Sequence, residues 1–351
     1  MIIFIGAGVS KLFGIPDTKG FIDIFDRDPD ISSDEVYNRI KRSFEGARAR
    51  FGDDFDLEVL MTILDDLSRD EDELWRRMSP QTAKFLFRNS GQINYLQDEK
   101  IKKASRLLLS RIKEIIVSEC FKADDEKQEK ILEVYDGLMK ILSRRFDADL
   151  SGDRKINYPK HLKIFTTNYD RCIETYLGIR QIDFTQGLKQ RFGQNLFDVS
   201  SYTEAEQDIK VFKLHGSVDL FNIKGIIRQR RHNEIIGEEV IYFPIEFSGY
   251  NRVIESPYLE LFYLFREEIG NDGTWMIAGT SLRDRTICSI MNDVIRLKSE
   301  KERPNILFIN PDQSVIDRVG AWGYSHLRDR LIPLPHDFGL PETYDLISKR
   351  L

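Results

Sequence analysis

The sequence predicts an α/β fold: a Rossmann-like, doubly wound parallel sheet with an inserted helical module. Three observations predict it. Short, nearly continuous apolar runs recur along the chain, as strands covered on both faces require. Helix-like stretches separate several of these runs. The segments that end the runs are rich in Gly, Ser, Thr, Asn and Asp, which gathers polar chemistry at the one edge where open α/β sheets bind ligands.

The first run is Ile2–Ile5, and it leads straight into "GAGVSKLFGIPD", from Gly6 to Asp17. A Gly-x-Gly between a strand and a helix lets the backbone come close to a phosphate. The helix N-terminus then supplies free N–H groups and a positive partial charge. The stretch fits a dinucleotide pyrophosphate or a plain tight turn, because the third glycine of the dinucleotide fingerprint is replaced by Lys11.

Residues 23–150 read as the helical insertion. Ile101, Ala104, Leu108, Ile112 and Ile115 recur at steps of three or four, and so do Ile131, Leu132, Tyr135, Leu138, Met139 and Leu142. Such amphipathic faces pack on each other and on the sheet, or form an oligomer or partner surface. A parallel sheet tolerates the insertion because its strands need only a crossover. "DADLSGDRKINY", Asp147 to Tyr158, is expected to be an exposed linker back into the sheet. The expected division is 1–22 with 151–351 as the sheet domain and 23–150 as the module.

Four more strands are expected at Lys163–Thr167, Lys210–Leu214, Trp275–Ala278 and Asn305–Ile309. They end in "TTNYD" (Thr166 to Asp170), "KLHGSVD" (Lys213 to Asp219), "AGTSLRD" (Ala278 to Asp284) and "INPD" (Ile309 to Asp312). Asp170 begins a helix with Ile173, Tyr176 and Leu177 on one face.

Composition narrows the function. The chain has 351 residues, 41% apolar and 31% charged, with a formal charge of -6. That balance is ordinary for a globular protein and lacks the basic excess of a nucleic-acid binder. Arg228-Gln229-Arg230-Arg231 reads as a solvated loop rather than a phosphate grip. Three cysteines, Cys120, Cys172 and Cys288, stand far apart. They make neither a disulfide framework nor a four-cysteine zinc site, and no metal is expected. A reducing cytoplasm suits them. The opening run is interrupted by Gly6 and Gly8, unlike a signal peptide, and no apolar run of about 18 residues is present to span a membrane.

"GAGVSKLFGIPD", "TTNYD", "LHGS", "GTS" and "IN", in this order over residues 3–312, resemble the sirtuin family. Three departures matter. Deacylating sirtuins carry two Cys-x-x-Cys pairs after the His-Gly segment, and this chain has none. They continue the proline motif with Asp-Phe-Arg, where this chain has Asp17-Thr18-Lys19. It also carries the helical insertion near the front. In these respects it is similar to the bacterial sirtuin-like effectors of antiphage defence. The resemblance implies hydrolysis of NAD+ to ADP-ribose and nicotinamide, with NAD+ as substrate and no metal. It implies a homo-oligomer and a partner protein such as a HerA-like hexameric ATPase, or less readily a short Argonaute or a phage component. Two other readings compete: an NAD-dependent protein deacylase, which the missing cysteines disfavour, and a non-catalytic NAD or ADP-ribose sensor, which has no need of a base.

Cleaving the nicotinamide–ribose bond develops positive charge on the ribose, and the leaving group needs no acid. The site must hold the ribose, stabilise the charge and position water. Asn168 is the first candidate, since its amide can hold a ribose hydroxyl or orient water. The competing reading is an asparagine that ends its strand by bonding nearby backbone. His215 is the second, a base whose ordinary pKa of about 6.5 suits neutral pH. The other histidines, His161, His232, His326 and His336, read as surface or packing residues. By resemblance, Asp17 and Asp170 contact the nicotinamide carboxamide or fix the ribose; helix capping is the alternative for both. By the same resemblance, Gly6, Ala7, Gly8 and Ser10 serve the diphosphate, Thr280 and Ser281 reach phosphate or ribose, and Asn310 holds the adenosine ribose. Pro16, Thr167 and Gly279 complete the expected NAD-binding set. Asp284 is read as the cap of the following helix.

Overall fold

The computed structural model describes residues 1–45, 55–70, 78–89, 99–121, 125–145, 158–159, 161–204, 207–230, 238–241 and 256–351. The expected linker over 147–157, Arg231 and His232 lie outside the described residues. The chain divides into two compact units, one of 1–15, 121–242 and 256–351, the other of 16–120 and 243–255.

The first unit is built on a seven-stranded sheet. Its strands are β1 (Ile2–Ile5), β2 (Leu162–Thr166), β3 (Phe184–Thr185), β6 (Ile209–Lys213), β10 (Thr274–Ala278), β11 (Asn305–Ile309) and β12 (Leu331–Leu334), in the order β12-β11-β10-β1-β2-β6-β3. Every pairing is parallel. The expected α/β doubly wound sheet is therefore present. The cause is visible in β1, where four consecutive apolar residues are all buried. Phe165 stacks on Phe212 at 4.4 Å and meets Phe265 edge-on at 4.9 Å, so aromatic rings fill the layer between β2, β6 and the Tyr258–Gly270 helix. The Arg285–Leu297 helix buries Ile287, Cys288, Met291, Val294 and Ile295, a stripe at steps of one, three and four. From β1 the order runs to β2 on one side and to β10 on the other, so the β1/β10 boundary is where the winding direction reverses.

A second, antiparallel sheet lies in the same unit: β4 (Leu188–Arg191), β5 (Gln194–Phe197), β7 (Gly216–Ile223), β8 (Ile226–Gln229) and β9 (Glu238–Ile241), in the order β4-β5-β8-β7-β9. The chain passes from one sheet to the other between β6 and β7, through Leu214 and His215, and Gly216 makes the step with φ +80°.

The Asp125–Arg145 helix also belongs to this unit, not to the inserted one. Its apolar face explains why. Tyr135 lies against Phe13 (5.7 Å) and Tyr176 (5.3 Å), Arg180 grips the Asp136 carboxylate, and Tyr344 donates to the Val134 carbonyl. The expected boundary near residue 150 thus differs from the structural one, which falls at Cys120/Phe121.

The second unit is helical: Thr18–Phe25, Pro29–Ser32, Glu35–Glu45, Leu57–Leu67, Pro80–Arg88 and most of Glu99–Phe121. Side chains start the helices in the expected manner. Asp28 and Ser79 each cap a helix whose first residue is proline, and Asp56 caps Leu57–Leu67. The buried Asp66 carboxylate accepts from Ser79 N (2.9 Å) and Thr82 Oγ1 (2.8 Å), which ties two helices together. Tyr37, Ile40, Phe44, Leu60, Ile63, Leu64 and Phe85 are fully buried around them. No helix among the described residues is long and apolar enough to cross a membrane.

Candidate functional site

Because the strands are parallel, the turns after β1, β2, β6, β10 and β11 share one edge of the sheet. Asn168 is placed there by the backbone. Thr166, the last residue of β2, donates its hydroxyl to the Ile5 carbonyl (2.9 Å) and accepts from Asn168 N (3.0 Å), which turns the chain off the strand. The amide is then fixed from two sides. Nδ2 donates to the Gly6 carbonyl (3.0 Å) and to Ser10 Oγ (2.7 Å). Ser10 Oγ can accept because its own proton goes to Asp170 Oδ2, at 2.6 Å. Both amide protons are committed. Asn168 Oδ1 is buried and has no hydrogen-bond partner among the described residues. A buried carbonyl oxygen left unpaired is costly and requires an explanation. Asn168 offers an acceptor at this edge, and its donors are occupied.

The residues expected around this amide have partners within the protein. Ser10 is buried, donates to Asp170 and accepts from Asn168. Asp170 is buried too, with Oδ1 accepting from Cys172 N (2.9 Å) and Oδ2 from Ser10. It starts the Cys172–Ile179 helix and steadies Asn168 at one remove. Gly6 and Gly8 are required by protein packing. A Cβ on Gly6 would lie 2.6 Å from Thr280 Cβ, and one on Gly8 would lie 2.8 Å from the Gly279 carbonyl. Their N–H groups donate to Ala278 O (2.9 Å) and Gly279 O (2.7 Å), so the turns after β1 and β10 are bonded together at the winding reversal. Ala7 starts a helix of four residues, Ala7–Ser10. Thr167, half-buried, donates its N–H to Ile5 O (3.3 Å).

The other expected contacts have local partners as well. Asn310 donates to Thr280 O (2.7 Å) and accepts from Asp312 N (2.8 Å), so its amide closes the turns after β10 and β11. Thr280 Oγ1 accepts from Leu282 N (3.1 Å). Ser281 is exposed, and its carbonyl accepts from Arg318 at 3.5 Å. Pro16 and Asp17 fall in the second unit, where Asp17 Oδ1 accepts from Gly20 N (2.8 Å) as the cap of Thr18–Phe25.

His215 sits at the passage between the two sheets, buried. Leu214 N donates to Thr166 O (2.9 Å) and Val218 N to Tyr169 O (3.1 Å), so backbone bonds bracket His215 against the Asn168 turn on both sides. Ser217 Oγ donates to Asp219 Oδ1 (2.5 Å), whose Oδ2 accepts from Gln229 (2.9 Å) and lies 3.3 Å from Arg171 Nε. The His215 Nε2 is 3.0 Å from Asp284 Oδ2. Sequence reasoning preferred for Asp284 the cap of the Arg285–Leu297 helix. The cap is real, with Oδ1 accepting from Thr286 N (2.7 Å) and Ile287 N (3.1 Å), but the second oxygen serves the histidine. Of the other described histidines, His161 is exposed and His326 and His336 are half-buried.

Beneath the turns lies a buried ion pair, Lys213 Nζ to Glu174 Oε1 at 3.2 Å, and Lys213 also donates to the Asp170 carbonyl. Burial opposes the ammonium, yet the carboxylates of Glu174, Asp170 and Asp219 outweigh it and hold Lys213 above its ordinary pKa. The sequence had no signal for this lysine beyond its place at a strand end. A separate cavity of about 470 Å³, lined by Phe184, Thr185, Gln186, Leu188, Asn195, Gln229 and neighbours, contains none of the candidate residues. Among the described residues no group of three or more His, Cys, Asp or Glu is disposed to hold a metal ion.

Residues 162–328 match the family model of the SIR2-like domain, and the match supports a sirtuin-like family. The matched range holds Asn168, Asp170, His215, Thr280, Asp284 and Asn310; Gly6 to Asp17 precede it. SIR2-like domains are NAD-utilising enzymes, so the match implies NAD binding and an NAD-related activity. No curated protein matches the chain.

Proposed function

Taking the SIR2-like domain over residues 162–328 as the premise, we propose that this chain hydrolyses NAD+ to ADP-ribose and nicotinamide. The carbon–nitrogen bond between ribose and pyridinium breaks, and its electron pair returns to the ring nitrogen, which leaves neutral. Water adds to the ribose carbon and loses a proton. Asn168 Oδ1 accepts a hydrogen bond from that water or from a ribose hydroxyl, and the His215 imidazole takes the proton. The developing positive charge is met by oxygen acceptors held in place before the reaction, so little reorganisation is needed.

The single observation that carries this reading is the Asn168 amide, oriented by Gly6 and Ser10 so that a buried oxygen is left without a partner. That is an acceptor waiting for a donor at the sheet edge where dinucleotides bind. The absence of paired Cys-x-x-Cys motifs supports hydrolysis over deacylation. The same departures support a further assignment, an effector of bacterial antiphage defence that depletes NAD+ once a partner protein engages it.

The test is nicotinamide release from NAD+ alone, followed by chromatography, beside a binding measurement with the unreacted dinucleotide. Release at the same rate with and without an acylated peptide is expected, and both Asn168→Ala and His215→Ala should abolish it while NAD+ still binds. Release that depends on the acylated peptide, or a chain that neither binds nor cleaves NAD+, overturns the proposal.

A further inference from the structure

We infer that Asp284 is the positioning residue of His215: its Oδ2 accepts the Nε2–H of the imidazole, fixes the ring in that tautomer, and leaves the basic lone pair on Nδ1. The kinetic part of this inference rests on the hydrolase reading; the tautomer part does not.

The geometry is specific. Nε2 and Oδ2 are 3.0 Å apart with both side chains buried, so no bulk water competes for the contact. The carboxylate cannot swing away, because Oδ1 is held by two backbone N–H groups of the Arg285–Leu297 helix. The backbone that delivers Asp284 is held as well. The chain leaves β10 through Gly279 (φ +62°) and Leu282 (φ +48°). A leucine in the left-handed region is strained and persists only where its surroundings over-determine it. Here Leu282 is buried, its N–H donates to Thr280 Oγ1 (3.1 Å), and its carbonyl accepts from Cys288 Sγ (3.3 Å). One carboxylate thus joins a rigid helix start to the imidazole placed where the chain passes between the two sheets. When His215 gains the proton lost by water, the charge that appears on the ring faces an anion already in place.

Asp284→Asn separates this role from capping. Asparagine caps a helix as well as aspartate does, so the fold is retained. The group facing Nε2 can then become an NH2 donor, which favours the opposite tautomer with the proton on Nδ1. In a serine-protease triad the same change lowers kcat by about 10⁴ through the wrong tautomer. The experiment uses the full chain labelled with 15N-histidine, with His215→Gln identifying the signal. The parent should give the Nε2–H tautomer and Asp284→Asn the Nδ1–H tautomer, with an unchanged melting temperature. Nicotinamide release should fall about 100-fold or more in kcat, with KM for NAD+ within about twofold of the parent. Asp284→Glu, which keeps the charge, should recover part of the rate. An unaltered tautomer overturns the inference, and so does a kcat equal to that of the parent. If the parent neither binds nor cleaves NAD+, the hydrolase reading fails while the nitrogen spectrum still decides whether Asp284 sets the ring.

Discussion

Asn168 Nδ2 lies 2.7 Å from Ser10 Oγ, and Ser10 in turn gives its proton to Asp170. The direction of that short chain decides which half of the amide faces the sheet edge. Reversing the amide would set the Asn168 carbonyl against the Gly6 carbonyl and against a hydroxyl whose proton is already committed. The acceptor at the site is therefore a product of three residues.

Ser10→Ala should expose this dependence. It leaves Asp170 Oδ2 and one Asn168 proton without partners in a buried place, at a cost of about 1–3 kcal/mol. Urea unfolding should report that loss. Nicotinamide release should fall about tenfold or more because the amide is free to turn over. Turnover equal to the parent would mean that Asn168 needs no such support.

Gly8→Ala should destabilise the protein in the absence of any ligand. The new Cβ meets the Gly279 carbonyl at 2.8 Å, and backbone cannot yield as a flexible side chain does. A loss of about 1–3 kcal/mol is expected from overpacking. Gly178→Ala is the control, since a Cβ there meets nothing within 4 Å inside a helix, and the change should be neutral or stabilising by up to about 1 kcal/mol. Equal melting temperatures for Gly8→Ala and the parent, with NAD+ binding lost, would return the glycines to a phosphate-cradling role.

Lys213→Met should be among the most damaging single changes. It strands the Glu174 carboxylate in a dry interior, a loss of about 3–5 kcal/mol. Adding Glu174→Gln should recover part of it. The pH dependence has a definite sign. The folded pKa of Lys213 is raised, so its contribution is complete below the ordinary lysine value of about 10.4 and is lost only as pH climbs beyond the folded value. Denaturation at pH 7 and pH 9 should reveal no loss assignable to the Lys213 ammonium; a marked fall by pH 9 would contradict it.

The three thiols should be inert in the native state. Cys120, Cys172 and Cys288 are buried and unbridged. Burial pushes the thiols of Cys172 and Cys288 up, and the nearby carboxylates of Asp170 and Asp284 push in the same direction. A thiol-reactive dye at pH 8 should label none of them until denaturant is added. Rapid labelling of Cys172 in the folded chain would mean that the helix beneath Asn168 opens readily.

Much of the parallel sheet was legible because its strands are nearly continuous apolar runs: Ile2–Ile5 and Asn305–Ile309 appear in the structure with the expected ends. The strand Leu331–Leu334 was missed because it contains Pro333, which is tolerated only at the sheet edge it occupies. The antiparallel sheet was missed for a different reason. Strands such as Leu188–Arg191 and Gln194–Phe197 are half-buried and polar, so they carry neither a continuous run nor a clean alternation. The Asp125–Arg145 helix was readable as a helix, but its apolar stripe does not say which neighbour it covers. At the site, Asn168 and His215 could be picked out by residue type at strand ends. The second partner of Asp284 could not, since a residue that caps a helix gives the same local signal whether its other oxygen faces water or an imidazole.

The bond between Gly8 and the Gly279 carbonyl joins a turn made early in synthesis to one made late. A ribosome must therefore release the β10 turn before the rim around Asn168 can close, and any fragment truncated ahead of Gly279 is an unfinished vessel.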